Sequence, residues 1–207
     1  MGALQDALLA AMRQDDPYLE GVQASGESIE DLPDMRFFEF HHVELDHCVL
    51  SGAMLAKTSW YDATLVACDL SNADLSEAFF SRTRLVDCKL EGAKLNGAIA
   101  RSTRFVHCMC RYSNWQEAKL EQVRLMDCDL REAFLSELRL RRSTRLEGCD
   151  LARADLFRTA LKGVDLSTCN IAGITISDTR AELAGALISV EQAADVAVML
   201  GVRFVDA

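Results

Sequence analysis

The sequence predicts an all-β solenoid, a four-sided β-helix of about seven coils with a short N-terminal helix and a C-terminal capping helix. Three observations lead there. Through residues 38–176 a small residue is followed two positions later by a large apolar one, and the pair recurs every five residues, as in Ala53/Leu55, Thr58/Trp60, Ala63/Leu65 and Cys68/Leu70. A period of five fits neither a helix at 3.6 nor a plain strand at 2, so a short extended step and a corner must be repeating. Cysteine then takes the small slot at Cys48, Cys68, Cys88, Cys108, Cys128, Cys149 and Cys169, which returns the chain to one side after four pentapeptides.

The remaining sides agree. Ala53, Ala73, Ala93, Ser113, Ala133 and Ala154 form a second ladder, and Val43, Ala63, Thr83, Thr103, Val123, Thr144 and Val164 a third. One extra residue within 141–143 shifts the count by one without ending it. In the middle coil the large inward slots hold Ala100, Phe105, Cys110 and Trp115, so two small groups leave room that two aromatic rings fill. The expected division is 1–36 as N-terminal helix and capping segment, 37–188 as the solenoid, and 189–207 as C-terminal helix and dimerisation tail.

Leu4, Leu8, Ala11 and Met12 fall at helical spacing, which predicts an amphipathic helix over 3–13. Laid across the first coil, it covers strand edges that would otherwise be unpaired. Residues 14–36, with Asp15-Asp16-Pro17 and Leu32-Pro33-Asp34, read as loop plus an imperfect opening coil. Beyond Ile176, Ala181/Leu183 and Ala186/Ile188 make a last partial coil. Ser189-Val190-Glu191-Gln192 reads as a capping box, with a helix over 190–200 that stops at Gly201. Ala193, Val196, Ala197 and Leu200 form its capping face. Val190, Ala194 and Val198, continued by Val202 and Phe204, form a second apolar line that a two-fold homodimer would cover.

No apolar run approaches the roughly 18 residues of a membrane span, and no basic region precedes the short apolar stretch at the start, so a cytoplasmic protein is expected. The ladder cysteines occupy slots that Ala and Thr fill elsewhere, which marks them as reduced, buried apolar groups. His107-Cys108-Met109-Cys110 puts both thiols inward and the histidine outward, so no metal is expected. Glu39, His41, His42, Glu44, Asp46 and His47 all lie on outward positions where side chains diverge. No nucleophile and base fall within mutual reach, so neither enzyme activity nor a cofactor is expected.

The net charge of −10 is unevenly placed: residues 1–33 sum to −6 and 34–176 to −1, within which 34–97 sum to −4 and 98–176 to +3. One outward column stands out. Before the inward Leu65, Leu85, Phe105, Leu125 and Leu146 stand Thr64, Arg84, Arg104, Arg124 and Arg145; after them stand Val66, Val86, Val106, Met126 and Glu147. Stacked cations repel, and two readings stay open: a solvated ladder offset by Asp62, Asp87 and Asp127 near the corners, or a face that grips an acidic partner or a second protomer. Arg139, Arg141 and Arg142 add to the positive charge nearby.

Ala73-Asp74-Leu75-Ser76-Glu77 and Ala154-Asp155-Leu156 resemble the A(D/N)LXX unit of the pentapeptide-repeat family, and the pattern covers about two thirds of the chain. That resemblance implies a right-handed quadrilateral β-helix. The tail, with Gly185-Ala186, Val190, Gln192-Ala193 and Leu200-Gly201-Val202, resembles the ending of the Qnr-type and MfpA-type members. It implies a dimeric DNA mimic that binds type II topoisomerases such as DNA gyrase, with antibiotic resistance to quinolone-type inhibitors as the consequence. On that implication Asp69, Asp74, Asp87, Asp129, Asp150 and Asp155 carry the partner contacts. The alternative is a protein-interaction scaffold that uses Arg84, Arg104, Arg124 and Arg145. Direct nucleic-acid binding is not expected of an acidic chain with little aromatic interleaving beside its arginines.

Overall fold

In a three-residue strand the middle side chain points one way and its neighbours the other. The chain uses this to put one apolar residue inside at every step, large at most of them. The computed structural model describes residues 2–28, 34–141 and 143–205. Its strands in chain order are β1 (Tyr18–Glu20), β2 (Gln23–Ser25), β3 (Glu39–His41), β4 (Glu44–Asp46), β5 (Ser59–Tyr61), β6 (Thr64–Val66) and β7 (Phe79–Ser81). They continue as β8 (Arg84–Val86), β9 (Ile99–Arg101), β10 (Arg104–Val106), β11 (Lys119–Glu121), β12 (Arg124–Met126), β13 (Arg139–Arg141) and β14 (Arg145–Glu147).

The odd-numbered strands stack as one parallel sheet of seven and the even-numbered strands as another. The other two sides are held by single parallel bridges, one running Val49, Asp69, Lys89, Met109, Asp129, Asp150, Asn170 and the other Met54, Asp74, Lys94, Asn114, Phe134, Asp155, Thr175. The molecule is therefore a four-sided β-solenoid, and residues twenty apart are vertical neighbours. Stacking starts earlier than the pentapeptide count suggests, at Tyr18, because the first step pairs Tyr18 with Glu39 and so spans twenty-one residues. The Leu32-Pro33 turn and Arg142, where the extra residue was placed, lie outside the described residues.

Corners require a left-handed backbone, and non-glycine residues accept it: φ is 52° at His42, 51° at His47, 52° at Asp62 and 51° at Ala67. Each such residue costs about 1–2 kcal/mol. A backbone hydrogen bond to the next coil offsets it, as from His47 N–H to Val66 O and from Ala67 N–H to Val86 O, both 2.9 Å.

All seven ladder cysteines and Cys110 are buried and unbridged. The ladder thiols donate to backbone carbonyls of the neighbouring coil and of their own: Cys68 Sγ to Leu45 O and Val66 O, and Cys88 Sγ to Leu65 O and Val86 O, all at 3.4 Å. Burial raises the pKa of the Cys48 and Cys110 thiols, and all eight thiols are closed off from solvent. The folded protein is therefore expected to react with none of its eight thiols within minutes at pH 8, and with all of them once denatured. Fast native labelling at any ladder position would contradict this.

A buried aromatic run adds to the core. Phe40 stacks on Trp60 at 3.9 Å between centroids, Trp60 lies 6.4 Å from Phe80, Phe80 6.5 Å from Phe105, and Phe105 meets Trp115 edge-on at 5.2 Å. Each indole keeps a partner, Trp60 on Thr58 Oγ1 at 2.9 Å and Trp115 on Ser113 Oγ at 2.7 Å. Ala100, Phe105, Cys110 and Trp115 are all buried, so the large-with-small compensation expected in the middle coil is present.

The helix α1 (Ala3–Ala11) lies on β1 and β2 with Leu4, Leu8 and Ala11 buried. The Glu27 carboxylate accepts the Leu4 N–H at 3.0 and 3.2 Å and so caps the helix start from outside the helix. The helix ends two residues before the expected 13, and Met12, expected on the apolar face, is 41% exposed.

At the other end the capping box forms, with Ser189 N–H donating to Gln192 Oε1 at 2.7 Å and Gln192 N–H to Ser189 Oγ at 3.4 Å. The helix α2 (Ala193–Met199) is nevertheless shorter than the expected 190–200. Gln192 is buried and its amide is tied to Leu166 O and Cys169 O at 2.8 and 2.5 Å, so the chain turns there before the helix can begin. Gly201, at φ +80°, ends it in a Schellman arrangement, with Val202 N–H on Ala197 O and Gly201 N–H on Val198 O. Val196 and Met199 pack on the core; Ala193 and Leu200, expected to share that face, are exposed.

Glu182 closes the last coil from a buried position. It accepts from Arg158 N–H at 2.8 Å, Ser177 N–H at 3.2 Å and Ser177 Oγ at 2.9 Å. Burial works to raise its pKa, but these hydrogen bonds outweigh burial and hold it below the usual glutamate value. A depressed carboxylate gives stability that is present above the unfolded pKa of about 4.3 and lost as pH falls through the folded one. Acid is thus expected to loosen residues 158–188 before the rest, with Glu182→Gln flattening that limb. Hydrogen exchange followed from pH 6 to pH 3 checks it, and uniform protection at pH 3 would refute it.

Candidate interaction surface

The even-numbered sheet brings the arginine column together. Thr64, Arg84, Arg104, Arg124 and Arg145 are direct register partners on β6, β8, β10, β12 and β14, and all four arginines are exposed. Coils repeat at about 4.8 Å. Beside them runs the half-buried line Val66, Val86, Val106 and Met126, ending at Glu147.

The corner acids do not offset this charge as expected. Asp62 is held by Arg82 in a two-armed pair with both distances at 2.6 Å. Asp87 and Asp127 flank His107 at 3.3 and 3.6 Å. Arg145 reaches Glu147 at 3.7 Å. Among the described residues Arg84, Arg104 and Arg124 make no ion pair, so the solvated-ladder reading loses its counter-charges.

The six aspartates spread over three sides. Asp69, Asp129 and Asp150 share a column with Lys89 and Met109; Asp74 and Asp155 share one with Lys94, Asn114 and Phe134; Asp87 stands at a corner of the arginine side. Five of them build the corners, accepting the N–H two residues ahead: Asp69 from Ser71 at 2.9 Å, Asp74 from Ser76 at 3.0 Å, Asp129 from Arg131 at 3.1 Å, Asp150 from Ala152 at 3.0 Å and Asp155 from Phe157 at 2.9 Å. Arg131 grips Asp129 and lies 3.6 Å from Asp150. Burial works to raise the Asp129 pKa, but the Arg131 hydrogen bonds hold it below the usual value.

The histidine-rich stretch resolves into local pairs, His41 with Glu39 at 2.9 Å and His47 with Asp46 at 2.8 Å. Among the described residues no group of three or more His, Cys, Asp or Glu is placed to hold a metal, and no helix is long and apolar enough to cross a membrane. One outward cluster escaped the sequence reading. On the odd-numbered sheet His41 stacks on Tyr61 at 4.7 Å, Tyr61 meets Phe79 edge-on, and Arg101 lies over the Phe79 ring at 5.6 Å. Reading the two outward lines of that side together, Glu39, Ser59, Phe79, Ile99 and His41, Tyr61, Ser81, Arg101, finds it. At the C-terminal end Val190 and Phe204 are 86% and 64% exposed, and Ala194, Val198 and Val202 are exposed as well.

A solenoid with small residues and thiols in its inner slots, and four outer faces free to carry recognition, is a repeat scaffold. Residues 78–156 match the model of a pentapeptide repeat region and residues 142–171 that of pentapeptide repeats in eight copies, so pentapeptide repeats run from residue 78 to residue 171. Among solved structures it is similar to HetL, a pentapeptide repeat protein involved in heterocyst differentiation regulation from the cyanobacterium Nostoc sp. strain PCC 7120. That pair is 22% identical, covers 83% of this chain and 89% of the other, and has a TM-score of 0.54, a likeness of fold. QnrB1, a plasmid-mediated fluoroquinolone resistance protein, aligns at 14% identity over 89% of this chain and 100% of its own, with a TM-score of 0.34. A pentapeptide repeat protein from the Arabidopsis thaliana thylakoid lumen aligns at 29% identity over 46% of this chain and 63% of its own, with a TM-score of 0.29. No curated protein matches the chain.

Proposed function

We propose that this chain is a non-enzymatic docking protein of the cytoplasm whose Arg84, Arg104, Arg124 and Arg145 grip an acidic protein partner. The observation that carries this reading is the in-register column of arginines, three of them without a counter-charge among the described residues, beside a half-buried valine and methionine line. Guanidinium groups are weakly hydrated and bind carboxylates in a two-armed geometry, so such a column holds carboxylates better than lysines would. On this reading residues 1–36 close one end, 37–188 carry the face and 189–207 join two copies through Val190, Ala194, Val198, Val202 and Phe204. Val198→Glu together with Phe204→Glu is expected to halve the mass seen in sedimentation; an unchanged mass would count against the dimer.

A second reading is a DNA mimic that binds DNA gyrase and modulates it or protects it from quinolone-type inhibitors. What favours it is the exposed apolar C-terminal end, since a two-fold dimer there would double the length of the rod, as a duplex mimic needs. Here Asp69, Asp74, Asp87, Asp129, Asp150 and Asp155 would take the place of phosphates. Lys89, Lys94, Met109 and Phe134 interrupt those columns, and so the arginine face is the reading we prefer. A gyrase supercoiling assay with and without a quinolone separates the two. No effect at micromolar protein sinks the mimic; an effect that survives glutamate at the three unpaired arginines and vanishes with asparagine at Asp69, Asp129 and Asp150 sinks the arginine face.

A further inference from the structure

The spacing of the arginine face carries information about the shape of what it binds. We infer that it docks one acidic amphipathic α-helix of about sixteen residues, laid along the solenoid axis. The inference rests on the arginine-face reading above and adds a partner class to it.

Periodicity decides between a helix and a strand. Arginines one coil apart repeat at about 4.8 Å, so the three intervals from Arg84 to Arg145 span about 14 Å. A helix with acids alternately three and four residues apart presents one carboxylate per turn of about 5.4 Å, or about 16 Å over three turns. The slip of about 2 Å is well within the reach of an arginine side chain. An extended peptide presents same-face carboxylates about 6.7 Å apart and falls out of step by about 6 Å over the same distance.

The width agrees. The arginine and valine lines sit two residues apart on each strand, about 6.6 Å, so one helix about 10 Å across covers both. Its acids lie over the guanidinium groups and its apolar stripe over Val66, Val86, Val106 and Met126. Length and direction follow from the rest of the sheet. Glu44 and Asp46 on β4 put negative charge at the N-terminal end of the same side. The five coil steps from Glu44 to Arg145 span about 24 Å, which at 1.5 Å per residue is about sixteen residues. A helix carries partial positive charge at its N-terminus and negative at its C-terminus. It therefore lies with its start near Glu44 and its end near Arg145, in the order of the coils.

The test uses the full chain and three fluorescein-labelled probes. The first is a synthetic peptide of about sixteen residues with glutamates alternately three and four apart beside a leucine line. The second has the same composition with two central prolines that prevent a helix, and the third is a short DNA duplex. The helical peptide is expected to bind at least tenfold more tightly than the proline-broken one. It should gain helicity by circular dichroism and lose more than a hundredfold in affinity with Arg84→Glu, Arg104→Glu and Arg124→Glu combined. Equal binding of the two peptides would overturn the helix while leaving the arginine face standing. Failure of both peptides, with no effect of the arginine changes, would remove the face itself. Tighter binding of the duplex than of either peptide would make this a nucleic-acid surface and overturn the inference.

Discussion

Glutamate at Arg84, Arg104 and Arg124 together is expected to lower affinity for an acidic partner more than a hundredfold while leaving the unfolding midpoint within a few degrees. Each reversal removes an attraction and adds a repulsion of similar size, and exposed pairs are worth about 0.2–1 kcal/mol each way. Three positions then amount to roughly 3 kcal/mol, and a hundredfold is about 2.7 kcal/mol. The fold should be indifferent, because these side chains make no ion pair among the described residues and the inward Leu85, Phe105 and Leu125 are untouched. Titration calorimetry at low and at 0.5 M salt checks the origin of the loss, since a screened interaction also weakens in salt. Lysine at the same positions keeps the charge but not the two-armed geometry, and an intermediate affinity is expected. Wild-type affinity in the glutamate triple variant would end the assignment.

Phe105→Ala should give the largest loss of stability of any single truncation in the middle coil, about 3–5 kcal/mol. The ring is fully buried between Phe80 and Trp115, and its neighbours in the layer include Ala100 and Cys110, which are too small to move in. A cavity of most of a ring's volume would persist, where a leucine-lined layer would partly collapse. Because each coil contacts only its neighbours, the loss should also weaken the coupling between the two halves and broaden the urea transition. A change under 1 kcal/mol, with the transition still sharp, would show that the layer repacks.

The parts of this molecule that repeat were legible in the sequence, and the parts that do not were hidden. The five-residue period fixed the inward residues, and the twenty-residue cysteine period fixed which of them stack. Together they place Arg84, Arg104, Arg124 and Arg145 in one column, where the strand register has them. Nothing periodic says which way a corner side chain leans, so the capture of Asp87 and Asp127 by His107 and of Asp62 by Arg82 was missed. The opening coil at Tyr18 was blurred because its first step is one residue too long. Gln192 read as a capping residue, as it is, but its second role on Leu166 O and Cys169 O depends on a distant coil end that local pattern does not encode. The six aspartates looked like a surface for recognition. In the structure five of them have a prior task in bending the chain, which one-dimensional reading does not separate from display.

Vertical register gives this molecule the properties of a measuring rod. Duplicating any twenty residues between β6 and β12 would insert one complete graduation and move everything beyond it outward by about 4.8 Å, without altering the inside of any other coil. Copying the stretch that contains Arg104 would add a fifth cation in line with the four present. The length of surface engaged is thus set by how many times a short segment has been copied, and lengthening it requires no new solution to the problem of folding.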